Sequence, residues 1–100
     1  MKSFKETRSE ILKNPYEAAE YLNAAFEQGN SSLFMMALKN VAQAHGGMVH
    51  LSRKSKLNRG NLYRILSKKG NPGIQNLERL LEAFGLKLFV GVNRKIKKAA

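Results

Sequence analysis

The 100-residue chain contains no cysteine, no aspartate and no tryptophan. Without cysteine it has no disulfide, no thiolate nucleophile and no cysteine-ligated metal site, which fits the reducing cytoplasm. No apolar run approaches the roughly 18–20 residues that a membrane-spanning helix needs, so we expect no membrane partner. Residues 1–10 are charged, and we expect no signal peptide. Together these absences indicate a small intracellular domain.

Carboxylates are scarce and unevenly placed in the sequence. All seven are glutamates, against 18 lysines and arginines, for a net charge of +11. Five lie in residues 1–27 and two in residues 78–100, so residues 28–77 carry eight bases and no acid. A positive surface with no acid nearby favours a polyanion as partner, of which nucleic acid is the commonest. The alternative is a basic surface that serves only solubility.

The pattern of apolar residues predicts one mainly α domain. We expect the domain to cover residues 14–92, after an N-terminal arm or short helix in residues 1–13 and before a basic tail in residues 93–100. Further helices are expected over residues 31–45, 48–55, 59–67 and 74–84.

Local sequence signals mark where these helices begin and end. Asn14, Pro15 and Glu17 predict an N-cap, a first helical residue and the Glu of a capping box. Gly29 ends that helix, and Asn30 caps the next one.

The end of the chain changes period. Leu86, Leu88, Val90 and Val92 alternate with other residues, which predicts a short β-strand over residues 86–92. A single strand cannot satisfy its own backbone. We therefore expect it to pair with the same strand of a second subunit or with an edge strand of another protein.

Residues 48–67 have the length and punctuation of a helix-turn-helix. Asn58 begins the second helix, and Ser52 can be the small residue where the two helices touch. The residues expected to lock the pair together are apolar: Leu51, Leu57, Leu62 and Ile65.

The outward residues of the second helix suit contact with DNA. Arg59, Asn61 and Arg64 are the expected base contacts, since Arg pairs with guanine and Asn with adenine in the major groove. Tyr63 has two interpretations, a phosphate hydrogen bond or packing beside the next helix. The full set of expected contacts to the DNA backbone is Ser52, Arg53, Lys54, Lys56, Asn58, Tyr63, Lys68 and Lys69. In a helical core with a merely basic face, these side chains would only be solvated.

Residues 57–67, the run Gly70-Asn71-Pro72 and residues 77–86 resemble the lambda-repressor-like (Cro-type) helix-turn-helix family. More narrowly, they are similar to addiction-module antidote proteins, small antitoxins paired with a RelE-like ribonuclease toxin. The resemblance implies a DNA-binding antitoxin that binds its toxin, represses its own operon and acts as a homodimer on double-stranded DNA with a palindromic operator. Lys56 and Ser55 depart from the family, which often has Gly and an apolar residue there.

Other side chains carry no chemistry of their own. His45 and His50 lack companions for a metal site, and His45 is expected to complement the dipole at the end of the third helix. The serines lack a base and an orienting acid, so we expect neither an enzyme nor a cofactor. The second hypothesis is an interaction protein that binds an acidic partner, and no DNA, through its basic face and C-terminal strand.

Overall fold

The structure, a computed structural model, describes residues 4–67 and 71–93, with side chains from residue 7 onward. These ranges contain six helices: α1 (Phe4–Leu12), α2 (Pro15–Glu27), α3 (Ser31–Ala44), α4 (Gly47–Ser55), α5 (Arg59–Ile65) and α6 (Ile74–Ala83). The mainly helical prediction is confirmed. None of these helices has the length and apolar character needed to cross a membrane.

Asparagine caps begin the helices where the sequence predicts them. The Asn14 side-chain oxygen accepts hydrogen bonds from the backbone N–H groups of Tyr16 at 2.8 Å and Glu17 at 3.3 Å. The expected capping box is wrong in its second half. The Asn14 N–H donates to the Ile11 carbonyl at 3.1 Å, so it is satisfied by the preceding turn and does not need the Glu17 carboxylate.

The core forms where α3 contacts α1, α2 and α4, and where α4 contacts α5 and α6. Its largest fully buried side chains come from four of these helices and from the end of α6: Leu38, Val41, Leu51, Leu62, Leu66, Leu80 and Phe84. Because α4 touches α3, α5 and α6, it ties the N-terminal three helices to the remainder. This position holds the short helix α5 at the surface on a rigid base.

The predicted strand over residues 86–92 is not present, and residues 71–93 contain no strand after α6. The Leu86 N–H donates to the Leu81 carbonyl at 2.7 Å and Leu86 packs against the core, but the chain then leaves the domain surface. The physical reason is that a strand needs a neighbour, and no described segment of this chain supplies one. Residues 94–100, which include most of the expected basic tail, lie outside the described residues.

Candidate nucleic-acid interface

Helices α4 and α5 are joined by residues 56–58, and the turn is made by an unusual backbone conformation at Lys56. Lys56 has φ 62° and lies at the C-cap of α4 in the left-handed region. This conformation costs about 1–2 kcal/mol for a residue with a Cβ atom, which is why glycine is common at such positions. The chain therefore makes the glycine-type turn with a lysine, whose charged side chain is exposed.

Two serines of α4 hold the turn in place. The Ser52 hydroxyl donates to the Leu57 carbonyl at 2.8 Å, and the Ser55 hydroxyl accepts from the Leu57 N–H at 3.3 Å. Ser55 is buried, so this bond satisfies a polar side chain that would otherwise cost stability. The sequence reasoning missed the role of Ser55. Its signal is a serine two residues before the buried leucine of the turn.

The apolar residues expected to lock the two helices are all buried. Leu51, Leu57, Leu62 and Ile65 are each at most 5% exposed, and Leu66 joins them at the end of α5. Helix α5 ends at Ile65 rather than at Ser67, because the Ser67 hydroxyl and N–H both turn back to the Arg64 carbonyl. The inward face of α5 is thus fully used for packing.

The outward face of α5 carries the expected base contacts. Asn58 caps the helix, its side-chain oxygen accepting from the Asn61 N–H at 2.7 Å. Arg59, Tyr63 and Arg64 are exposed, and Asn61 is half-buried. Because the opposite face of α5 is packed on α4, these four side chains are presented together to solvent.

Two of the expected base contacts bind each other in the free protein. The Arg64 guanidinium donates a hydrogen bond to the side-chain oxygen of Asn61. The pair lies one turn apart on α5, the spacing at which side chains on a helix meet. This bond holds the arginine along the helix, and it leaves the Asn61 amide N–H groups free as donors.

Basic side chains surround α5. Lys39, Arg53, Lys54 and Lys56 are exposed, and in the described part of residues 28–77 none of them forms an ion pair with a carboxylate. Tyr63 lines a shallow groove with Lys39 and residues of α3 and α4. Lys68 and Lys69, the other expected phosphate contacts, lie outside the described residues. The result is a positive surface centred on α5 with no acid inside it.

His45 lies outside this surface, at the C-cap of α3. Its Nε2 is 3.2 Å from the Leu12 carbonyl oxygen, and its ring centroid is 5.2 Å from that of Phe84. Burial lowers the pKa of His45 below its ordinary value of 6.5, and nearby Lys54 lowers it further, against a raising effect of the Leu12 carbonyl. A neutral imidazole is therefore favoured, and the expectation that His45 complements the helix dipole as a cation is wrong.

Comparison with known proteins identifies the family. The family described as "Probable addiction module antidote protein" matches residues 2–92. The chain belongs to this family. It is also 30% identical over 86 residues to a protein from Haemophilus influenzae described as "Uncharacterized protein", which covers 86% of this chain and 88% of that relative. No solved structure matches. An antidote of an addiction module implies a cognate toxin as its partner, and such antidotes are typically not enzymes.

Acidic and basic side chains of the antidote protein lie on different helices. The exposed glutamates Glu17, Glu20 and Glu27 belong to α2, whereas α4 and α5 carry only basic charged residues. The positive surface around α5 is therefore separate from the acidic side chains of α2. An anionic partner would meet the antidote protein at α5, without repulsion from a neighbouring carboxylate.

Proposed function

We propose that this antidote protein is an antitoxin that binds a specific DNA sequence, neutralises a RelE-like toxin and represses its own operon. In this proposal α4 and α5 are a helix-turn-helix, and α5 enters the major groove. The observation that carries it is the division of α5 into two faces. Leu62 and Ile65 are buried, while Arg59, Tyr63 and Arg64 are exposed amid basic residues.

Base recognition is assigned to three side chains of α5. The guanidinium groups of Arg59 and Arg64 can each donate two hydrogen bonds to a guanine, and the Asn61 amide can bond an adenine. The hydrogen bond between Arg64 and Asn61 keeps both side chains on the outer face of the helix. It either opens to bind bases or remains, so that the two side chains read neighbouring bases as a unit.

Phosphate binding is assigned to the basic residues around α5 and to neutral donors beside them. Asn58 keeps its amide N–H groups for a phosphate, because only its side-chain oxygen caps the helix. Ser52 is different: its hydroxyl proton is used on Leu57, so it supports the turn and is not a phosphate donor. The remaining proposed phosphate contacts are Arg53, Lys54, Lys56, Tyr63, Lys68 and Lys69.

The proposal includes a twofold arrangement. A homodimer on a palindromic operator would place two copies of α5 in successive major grooves, roughly 34 Å apart. In such a dimer each copy reads one half-site with the same side chains. The shallow contact made by one seven-residue helix is then used twice.

The replacement Arg64→Ala tests the base assignment. We expect it to reduce discrimination at one base pair of each half-site by about 1–3 kcal/mol, because the bidentate contact to that base is lost. The measurement is the affinity of wild-type and variant protein for DNA from upstream of the gene and for single-base variants of it.

The control is Arg53→Ala, which removes the same charge from α4. It should weaken binding to all these DNA sequences by a similar factor, because a phosphate contact carries no sequence information. If Arg64→Ala leaves the ranking of the operator variants as it is in the wild type, Arg64 does not read a base.

The second candidate function is a protein-interaction module that binds an acidic partner and no DNA. The observation in its favour is the C-terminal segment, in which Phe89, Val90 and Val92 are 76%, 99% and 86% exposed. Such a segment suits pairing with another protein. Retention of a toxin protein together with a failure to shift any DNA would favour this function over the first.

A further inference from the structure

The segment from Leu86 to Val92 has no partner within the described chain. Leu88 is 43% exposed, and Phe89, Val90 and Val92 are at least three-quarters exposed. No hydrogen bond joins the backbone of residues 87–92 to any other described residue. Contiguous apolar side chains with open backbone groups are features that soluble proteins normally cover.

We propose that residues 86–92 of two copies of this chain pair as antiparallel β-strands, around a twofold axis that passes beside Phe89. This inference deepens the proposed function, because it identifies the contact that joins the two DNA-binding copies. The partner is a second copy because the segment matches itself in length, in apolar pattern and in charge. The next observations establish each match.

The apolar pattern matches when the strands are antiparallel. Leu86, Leu88, Val90 and Val92 would share one face of the strand, since side chains alternate between faces. Leu86 already packs against the core of its own domain, whereas Val92 is 86% exposed. With Phe89 opposite Phe89, Val92 lies opposite Leu86 of the second copy. Each copy then extends the apolar core of the other.

Charge selects the same register. With Phe89 opposite itself, Lys87 lies opposite Gly91, so no like charges face each other. Moving the strands so that Lys87 lies opposite itself would place two ammonium groups in a destabilising cross-strand pair. A slip by a single residue would bring the apolar face of one strand beside the other face of its partner.

The contact is small, and this decides how it behaves. Seven residues from each copy are fewer than the roughly 20–30 residues per side of a stable interface, so we expect a dimer that is weak and depends on protein concentration. Each copy carries a net charge of +11. Salt screens the repulsion between copies, so added salt should strengthen the dimer while it weakens DNA binding.

Cross-linking through introduced cysteines tests the register in protein without DNA. The chain has no cysteine of its own, so each variant carries a single thiol. Phe89→Cys should form a disulfide-linked dimer under mild oxidation, because the two copies of residue 89 face each other. Val92→Cys is the matched control: it faces position 86 and should link to itself much more slowly. Equal or faster self-linking of Val92→Cys would overturn the register.

Sedimentation equilibrium tests the surface itself. The wild-type protein should be a monomer–dimer mixture at tens to hundreds of micromolar, and Val90→Lys should be a monomer there. Tyr16→Lys is the control, since it makes the same change at an aromatic residue that is 83% exposed on α2, and it should dimerise like the wild type. A wild-type monomer throughout this range, or a Val90→Lys dimer of unchanged strength, would overturn the proposal. Because these measurements contain no DNA, their failure is distinct from a failure of base recognition by Arg64.

Discussion

Three side chains decide the geometry of the connection between α4 and α5. Lys56 takes the left-handed conformation, and the hydroxyls of Ser52 and Ser55 bind the two backbone groups of Leu57. The place of this turn follows from the sequence, because apolar residues stop at Ser55 and Asn58 is a strong helix cap. The serine hydrogen bonds do not follow from the sequence, since a hydroxyl can bond several nearby backbone groups and only the folded turn selects one.

Gly60 offers a test of close approach to DNA at the scale of one residue. A Cβ atom at Gly60 would lie 3.6 Å from the Asn58 side-chain oxygen, an ordinary contact. Because glycine is unfavourable inside a helix, Gly60→Ala should stabilise the fold by about 0.5–1 kcal/mol. It should nevertheless weaken DNA binding, because the added methyl group lies between α5 and the groove. Urea denaturation and DNA titration measure the two effects.

The control for Gly60→Ala is Gln75→Ala, at an exposed position of α6. It changes a helical surface residue away from α5 and should leave DNA affinity at the wild-type value. If Gly60→Ala is stabilised and binds DNA as tightly as the wild type, the backbone of α5 does not approach the duplex at this residue.

At the scale of helices and strands, the predictions succeed where local signals decide and are wrong where distant partners do. Asn14, Asn30 and Asn58 mark three helix starts, since an N-cap needs only the residues of its own turn. The strand over residues 86–92 has the correct alternation but no neighbour in the chain, so alternation alone does not produce it. Asn61 and Arg64 could be placed on one face, but their mutual hydrogen bond depends on side-chain rotamers that spacing does not give.

His45 joins three helices, and its titration should affect how they hold together. Its neutral ring donates Nε2–H to the Leu12 carbonyl of α1 and packs on Phe84 after α6. Burial lowers its folded pKa, so below about pH 6.5 the unfolded chain binds the proton more readily than the folded chain. This contribution to stability is fully present above pH 6.5 and is lost as the pH falls toward the folded pKa. The free energy of unfolding should therefore decrease from pH 7.5 to pH 5.5.

The control for the pH effect is His45→Gln, whose amide can donate to the same carbonyl but does not titrate. Urea denaturation of both proteins at the two pH values gives the comparison, and the pH-dependent loss should be smaller in the variant. An equal loss in the two proteins would mean that His45 does not carry the effect.

At the scale of the whole molecule, charge is divided between parts of the chain. Exposed glutamates lie on α2, bases lie on α4 and α5, and apolar residues 88–92 extend from the far end. The division of charge is visible in the sequence, because residues 28–77 contain no acid. That α5 displays its bases outward follows from packing of Leu62 and Ile65, which the helical spacing also predicts. The three parts are separate enough to serve DNA, a protein partner and a second copy.

The most direct test of the central claim is a salt titration of DNA binding by the wild-type protein. The DNA from upstream of its gene is compared with a shuffled duplex of the same composition, between about 50 and 200 mM salt. If α5 reads bases while the surrounding lysines and arginines bind phosphates, affinity for both duplexes falls steeply with salt and the upstream DNA remains preferred throughout. Equal affinity for the two duplexes at every salt concentration would contradict sequence recognition by this antidote protein.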